Sequence, residues 1–241
     1  MTAFIHSIMV QKRRGMFRMW NLALIIIAFA FAQFGMFINR GGPVPSVHSF
    51  GQSSLGWIFL MFMMVTLVSS FSLFFYRYNS LKSAQNLESA VSREASFLIN
   101  NLLFLTIAFV TLWGVIYPII SEIVQGETIP VGQPFYNQVN GPLFLALIFL
   151  MGVAPFLPWR HASWGNLGRA LIVPVVAAMA TATLLVLIGV DKPFAVAAFA
   201  LCALVTSGIL REWVRGAHSR HKRGENYPIA FVRLIAGNRP R

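Results

Sequence analysis

Six apolar runs, none containing an Asp, Glu, Lys or Arg, dominate this sequence: residues 19–38, 55–75, 97–120, 142–157, 170–190 and 194–210. At about 1.5 Å of rise per residue, each is long enough, with blurred ends, to cross a hydrocarbon core of about 30 Å. Lipid offers a backbone no hydrogen-bond partner, so runs of this length are helical. The fold class that follows is all-α: a polytopic membrane helix bundle of about six transmembrane helices. Composition agrees, because 57% apolar against 11% charged residues is a balance that no soluble domain of 241 residues carries. The fourth run is short and bounded by Pro142. Only Asp191, Lys192 and Pro193 separate the fifth from the sixth, which predicts a tight helical hairpin.

All but two of the 19 Lys and Arg residues fall on one alternating set of connections. Lys12, Arg13, Arg14 and Arg18 come first, then Arg77, Lys82 and Arg93, then Arg160 and Arg169, then the basic residues from Arg211 to the end. Arg40 and Lys192 alone lie on the other set. Positive loops are retained in the cytoplasm, so both termini are expected there and the loop carrying His48 on the opposite face. Trp20, Trp159, Trp164 and Trp213 mark the inner interface, and Trp57 and Trp113 the outer one. The net charge of +12 thus encodes topology and contact with anionic membrane lipid, and nucleic acid is not an expected partner.

Both ends read as unfinished. Residues 1–10 form an apolar stretch too short to span, running into the Lys12–Arg14 loop like the last turns of a partial N-terminal helix. A signal peptide does not fit, because the run after Arg18 is long and no small-residue cleavage site follows it. Residues 227–241 are basic with an apolar patch of Ile229, Phe231, Val232, Leu234 and Ile235, suiting a surface helix or the lead-in to another span. The domain reading is a membrane bundle over 1–210 and a basic cytoplasmic tail, or lead-in to a further helix, over 211–241. The expectation is an internal fragment of a longer protein, or one product of a split gene.

An ion-coupled transporter needs carboxylates, Lys or His near the bilayer midplane, and the six spans offer none. Their most polar residues, Gln33, Asn100 and Asn101, suit interhelical hydrogen bonds. No phosphate-cradling Gly loop, paired carboxylate, nucleophile elbow or Cys/His metal cluster is present, so no catalytic side chain is expected. A single cysteine, Cys202, excludes an internal disulfide or a thiol redox pair.

Five histidines remain. His161, His218 and His221 sit beside arginines and read as solvated basic faces. His48 lies in the outer loop that runs from Arg40 through Gly41, Gly42, Pro43 and Pro45 to Phe50. A neutral imidazole there can ligate iron, with Val47 and Phe50 against a porphyrin edge, or be an ordinary loop histidine; the residues alone leave both open. His6 lies about 9 Å along a helix from Lys12, inside the inner leaflet. There, metal ligation and helix-to-helix hydrogen bonding are equally open.

At these residues the sequence resembles the CcmF family, the haem lyase subunit of bacterial cytochrome c maturation. The resemblance runs through Thr2-Ala3-Phe4-Ile5-His6-Ser7, Gln11-Lys12-Arg13-Arg14-Gly15-Met16 with Trp20-Asn21, and Phe34-Gly35-Met36-Phe37-Ile38-Asn39-Arg40-Gly41-Gly42 with Ser46-Val47-His48-Ser49-Phe50. It continues through Arg93-Glu94, Asn100-Asn101, Gly114, Tyr117-Pro118, Val131-Gly132, Pro134-Phe135-Tyr136-Asn137 and Pro158-Trp159-Arg160. The last two helices match mainly by hydropathy.

The resemblance implies that His48 ligates the haem awaiting attachment, and that His6 is one of two membrane histidines holding a resident haem b. The family's tryptophan-rich WWD segment is not in this chain, and none of the five histidines matches the second membrane ligand. Each haem would have one of its two ligands on this polypeptide. The function implied is that of a subunit of a haem lyase complex, which attaches haem covalently to apocytochrome c. Implied partners are a haem chaperone, other maturation subunits and apocytochrome c, in the cytoplasmic (inner) membrane of a bacterium. The alternative is a permease or haem transporter subunit without intramembrane charge coupling.

Overall fold

The computed structural model of the chain describes residues 1–41, 54–83, 87–159 and 164–237. All regular structure among these residues is helical. The elements are α1 (Thr2–Arg14), α2 (Arg18–Gly41), α3 (Leu55–Tyr76), α4 (Tyr78–Leu81), α5 (Arg93–Gln125), α6 (Gln133–Val153), α7 (Trp164–Leu187), α8 (Pro193–His221) and α9 (Tyr227–Gly237). A 3-10 turn, Ala154–Phe156, prolongs α6. Six of the described helices, α2, α3, α5, α6 with its turn, α7 and α8, are long and apolar enough to cross a membrane. The polytopic all-α expectation therefore stands, and large apolar side chains such as Ile58, Val65, Val176 and Leu187 lie exposed along them, as lipid-facing positions require.

The chain divides into two compact units, Met1–Ala90 with Glu94–Leu143 and Val91–Arg93 with Phe144–Arg241. In the first, α1 turns into α2 through Gly15, which takes the left-handed conformation (φ 68°) and donates from its N–H to Gln11 O at 2.8 Å. Helices α2 and α3 run antiparallel. Thr66 Oγ1 donates to Gln33 Oε1 at 2.9 Å midway along the pair. Helix α5 has 33 residues, about 50 Å of helix, so its ends emerge from the ~30 Å hydrocarbon core.

In the second unit, α7 and α8 form the tight hairpin expected from the three-residue link, with Pro193 opening α8 where a missing N–H costs nothing. The last part of α6 packs on α8, and a Cβ added at Gly152 would fall 2.1 Å from Leu204 Cδ2, so any larger residue there would require the Leu204 side chain to shift. Helix α9 folds back antiparallel along α8. The Phe231 ring lies over Trp213 at 4.6 Å, and Ala230 is fully buried. Glu225 in the turn pairs with Arg220 at 3.7 Å and Arg233 at 3.3 Å.

The two largest departures from the boundaries read in the sequence are in α6 and α8. Helix α6 begins at Gln133, and Pro142, taken as the start of the fourth span, lies inside it. A proline removes one N–H, a loss that a helix held by its neighbours tolerates. Helix α8 continues past Leu210 to His221, because hydropathy marks where lipid ends and not where helical hydrogen bonding does.

Candidate functional site

His6 sits on α1, about 12 Å along the helix from Arg14. Its half-buried ring leans on Phe97 of α5, with centroids 6.0 Å apart and a 35° tilt. The enclosed Nδ1 has no hydrogen-bond partner. A buried ring nitrogen without a partner is a costly arrangement.

The position of that ring is fixed one residue away. Asn101 of α5, completely buried, donates from its amide nitrogen to Ala3 O at 2.9 Å; its oxygen accepts from Ser7 Oγ at 3.3 Å and from Trp20 Nε1 at 3.0 Å. One side chain thus ties α1 and α2 to α5. Asn100, the neighbouring amide, keeps an enclosed Nδ2 with no partner.

Below this, Arg14 and Glu94 close the α1–α5 contact. Arg14 Nε lies 3.0 Å from Glu94 Oε1 in an ion pair whose N–H is not aligned on the oxygen, and the Glu94 side chain is 4% exposed. Glu88 approaches the same guanidinium at 3.6 Å from a more exposed position. The order Ala3 and Ser7 at Asn101, His6 at Phe97, Arg14 at Glu94 makes α1 antiparallel to α5. Among the described residues no group of three or more His, Cys, Asp or Glu converges as a metal-binding cluster. Holding haem iron does not require such a cluster, and the His6 imidazole is of the donor type that would fit it.

No protein-family model matches the chain. Similar proteins are found by sequence: the cytochrome c-type biogenesis protein ccl1 of Rhodobacter capsulatus is 31% identical over 219 residues, covering 90% of this chain and 34% of that protein. The cytochrome c-type biogenesis protein CcmF of Escherichia coli is 28% identical over 238 residues, 98% of this chain and 36% of that protein. The solved structure of the cytochrome c heme lyase CcmF matches with a TM-score of 0.63 at 27% identity, covering 95% of this chain and 34% of that one.

This chain belongs to the CcmF family. It spans about a third of the length of the CcmF-family relatives it matches. Of the two histidines singled out in the sequence, His6 lies on α1 of this CcmF-family chain as described, and His48 lies outside the described residues, as does His161. The expected interhelical amides are present: Gln33 bonds Thr66 and Asn101 bonds three groups, whereas Asn100 Nδ2 is unpaired. His218 and His221, read as solvated, are exposed but bonded: His218 Nδ1 shares a hydrogen bond with the Tyr227 hydroxyl and His221 Nδ1 one with Glu225 O, each at 2.8 Å. Ser7, Trp20 and the Arg14–Glu94 pair carry no local sequence signal for their roles. Only the long-range register of α1 on α5 reveals them.

Proposed function

We propose that this chain forms a central membrane block of a cytochrome c haem lyase, in which His6 would help to hold a resident haem b and His48 the haem awaiting attachment. The observation that supports it most is the place of His6, a half-buried imidazole on α1 about two turns from Arg14, with its ring against Phe97 and its neighbours bonded by Asn101. When bound, such a haem would supply one-electron redox chemistry. The chain's own contribution is positional. Asn101 fixes the depth of α1, Phe97 offers an apolar flank, and the Arg14–Glu94 pair anchors the helix end.

The substrate haem would dock on the face opposite the termini, delivered by a haem chaperone, and the thiols of an apocytochrome C-x-x-C-H segment would add across its vinyl groups, forming C–S bonds. The protein need contribute no general acid or base to that addition, only geometry. The termini would lie in the cytoplasm of a bacterium, with the bundle in its inner membrane, the basic residues after Leu210 on the cytoplasmic side, and the other maturation subunits alongside.

The test is haem content and maturation in cells that make the complete maturation complex. His6→Ala should remove the reduced b-type haem spectrum of the purified complex. His48→Ala should leave that spectrum and abolish holocytochrome c formation. An unchanged haem spectrum in His6→Ala overturns the assignment of His6, and normal holocytochrome levels in His48→Ala overturn that of His48.

A further inference from the structure

A basic groove lies at the foot of the α7–α8 hairpin in the second unit. It has a volume of about 650 Å³ and is floored by Val173, Leu210 and Val214, with Arg211, Arg215 and His218 along one edge. The depth of this groove follows from length. From Pro193 to Leu210, α8 rises about 27 Å, close to the ~30 Å of a hydrocarbon core, so Arg211 emerges at headgroup level. Arg169 emerges on α7 at the same level, because Arg211 Nη2 donates to its carbonyl at 3.2 Å.

Arg211 is built in rather than dangling. Pro174 has no N–H for the carbonyl of Ala170, and Arg211 Nη1 donates to that carbonyl instead. Two of its five N–H donors are used on α7, and the rest remain for a ligand. Arg215, one turn on, has a side chain 72% exposed; Glu212 at 3.6 Å only partly offsets its charge. His218 follows one turn later, tied to α9 through the Tyr227 hydroxyl. Positions 211, 215 and 218 share one helix face, giving a column of cationic and polar groups beside the exposed apolar side chains of Val173, Leu210 and Val214.

We propose that this groove binds one anionic phospholipid, its phosphate against Arg211 and Arg215 and an acyl chain along Val173 and Leu210. Charge complementarity selects an anionic over a zwitterionic headgroup, and the apolar floor selects a lipid over a soluble anion. Such a lipid would lock the α7–α8 hairpin at the level where Pro174 interrupts α7. The inference is independent of any haem site.

Native mass spectrometry of the full chain, exchanged into mixed micelles with phosphatidylglycerol and phosphatidylcholine of matched acyl chains, tests it. The expected result is a retained phosphatidylglycerol adduct whose affinity falls about fivefold in Arg215→Gln and recovers in Arg215→Lys. Arg233→Gln, which removes a charge from α9 outside the groove, should leave the adduct unchanged. Equal retention of both lipids overturns the proposal. So does equal loss in Arg233→Gln, which marks diffuse attraction, or displacement of the lipid by inorganic phosphate, which marks a soluble-anion site. Circular dichroism of the Arg215 variants, expected unchanged for an exposed side chain, separates loss of the site from loss of the fold.

Discussion

Arg211 on α8 donates a hydrogen bond to the carbonyl of Ala170 on α7, the acceptor that a proline four residues later leaves without its helical partner. A tertiary contact here completes a secondary-structure ladder, so α7 depends on α8 for its own backbone satisfaction.

If that is the role of Arg211, its importance must depend on Pro174. Arg211→Ala should destabilise the chain by about 1.5 kcal/mol in a denaturing-detergent titration. In a Pro174→Ala background Ala170 regains a helical N–H, and the same substitution should cost about 0.5 kcal/mol. Strict additivity in this double-mutant cycle would show that the two residues are not coupled.

The adjacent amides of α5 should behave oppositely. Asn101→Leu removes three hydrogen bonds and should cost about 2 kcal/mol, followed through the fluorescence of Trp20, whose indole loses its acceptor. Asn100→Leu should cost nothing or stabilise, since it removes an enclosed Nδ2 that has no partner. Equal losses in the two variants would contradict the assignment of Asn101 as the joint between α1, α2 and α5.

The two carboxylates near Arg14 offer a contrast in burial. Glu94, 4% exposed at its side chain, should cost about 3 kcal/mol when changed to Ala, because Arg14 then keeps only the more exposed Glu88 to balance its charge. Arg14→Ala with Glu94→Ala together should cost no more than either alone. Glu88, 44% exposed, should matter by less than about 0.5 kcal/mol, and molar salt should erase even that. Unfolding of these four variants at low and high salt measures all three statements.

The six spans were legible in the sequence because lipid imposes one rule on every residue that crosses it, and a run without charges satisfies that rule visibly. Their ends were less so. Pro142 carries the usual signal of a helix boundary, yet α6 passes through it; Leu210 ends the apolar run, yet α8 continues to His221. Polarity at Asn100 and Asn101 announced interhelical bonding, but two consecutive residues point about 100° apart around a helix, and only one can face a given partner. Which one, and that its partners are Ala3, Ser7 and Trp20, depends on the register between distant helices, which no local pattern encodes. His6 was legible as a histidine at membrane depth. Its enclosed nitrogen became visible only when α5 was packed against it.

The amide of Asn101 also orders events in time. A nascent chain delivers α1 to the bilayer two full spans before α5 leaves the ribosome, and until then Ala3, Ser7 and Trp20 lack the side chain that joins them. His6 therefore acquires its final depth only once α5 has inserted, and loading of any ligand at that ring must wait for that helix.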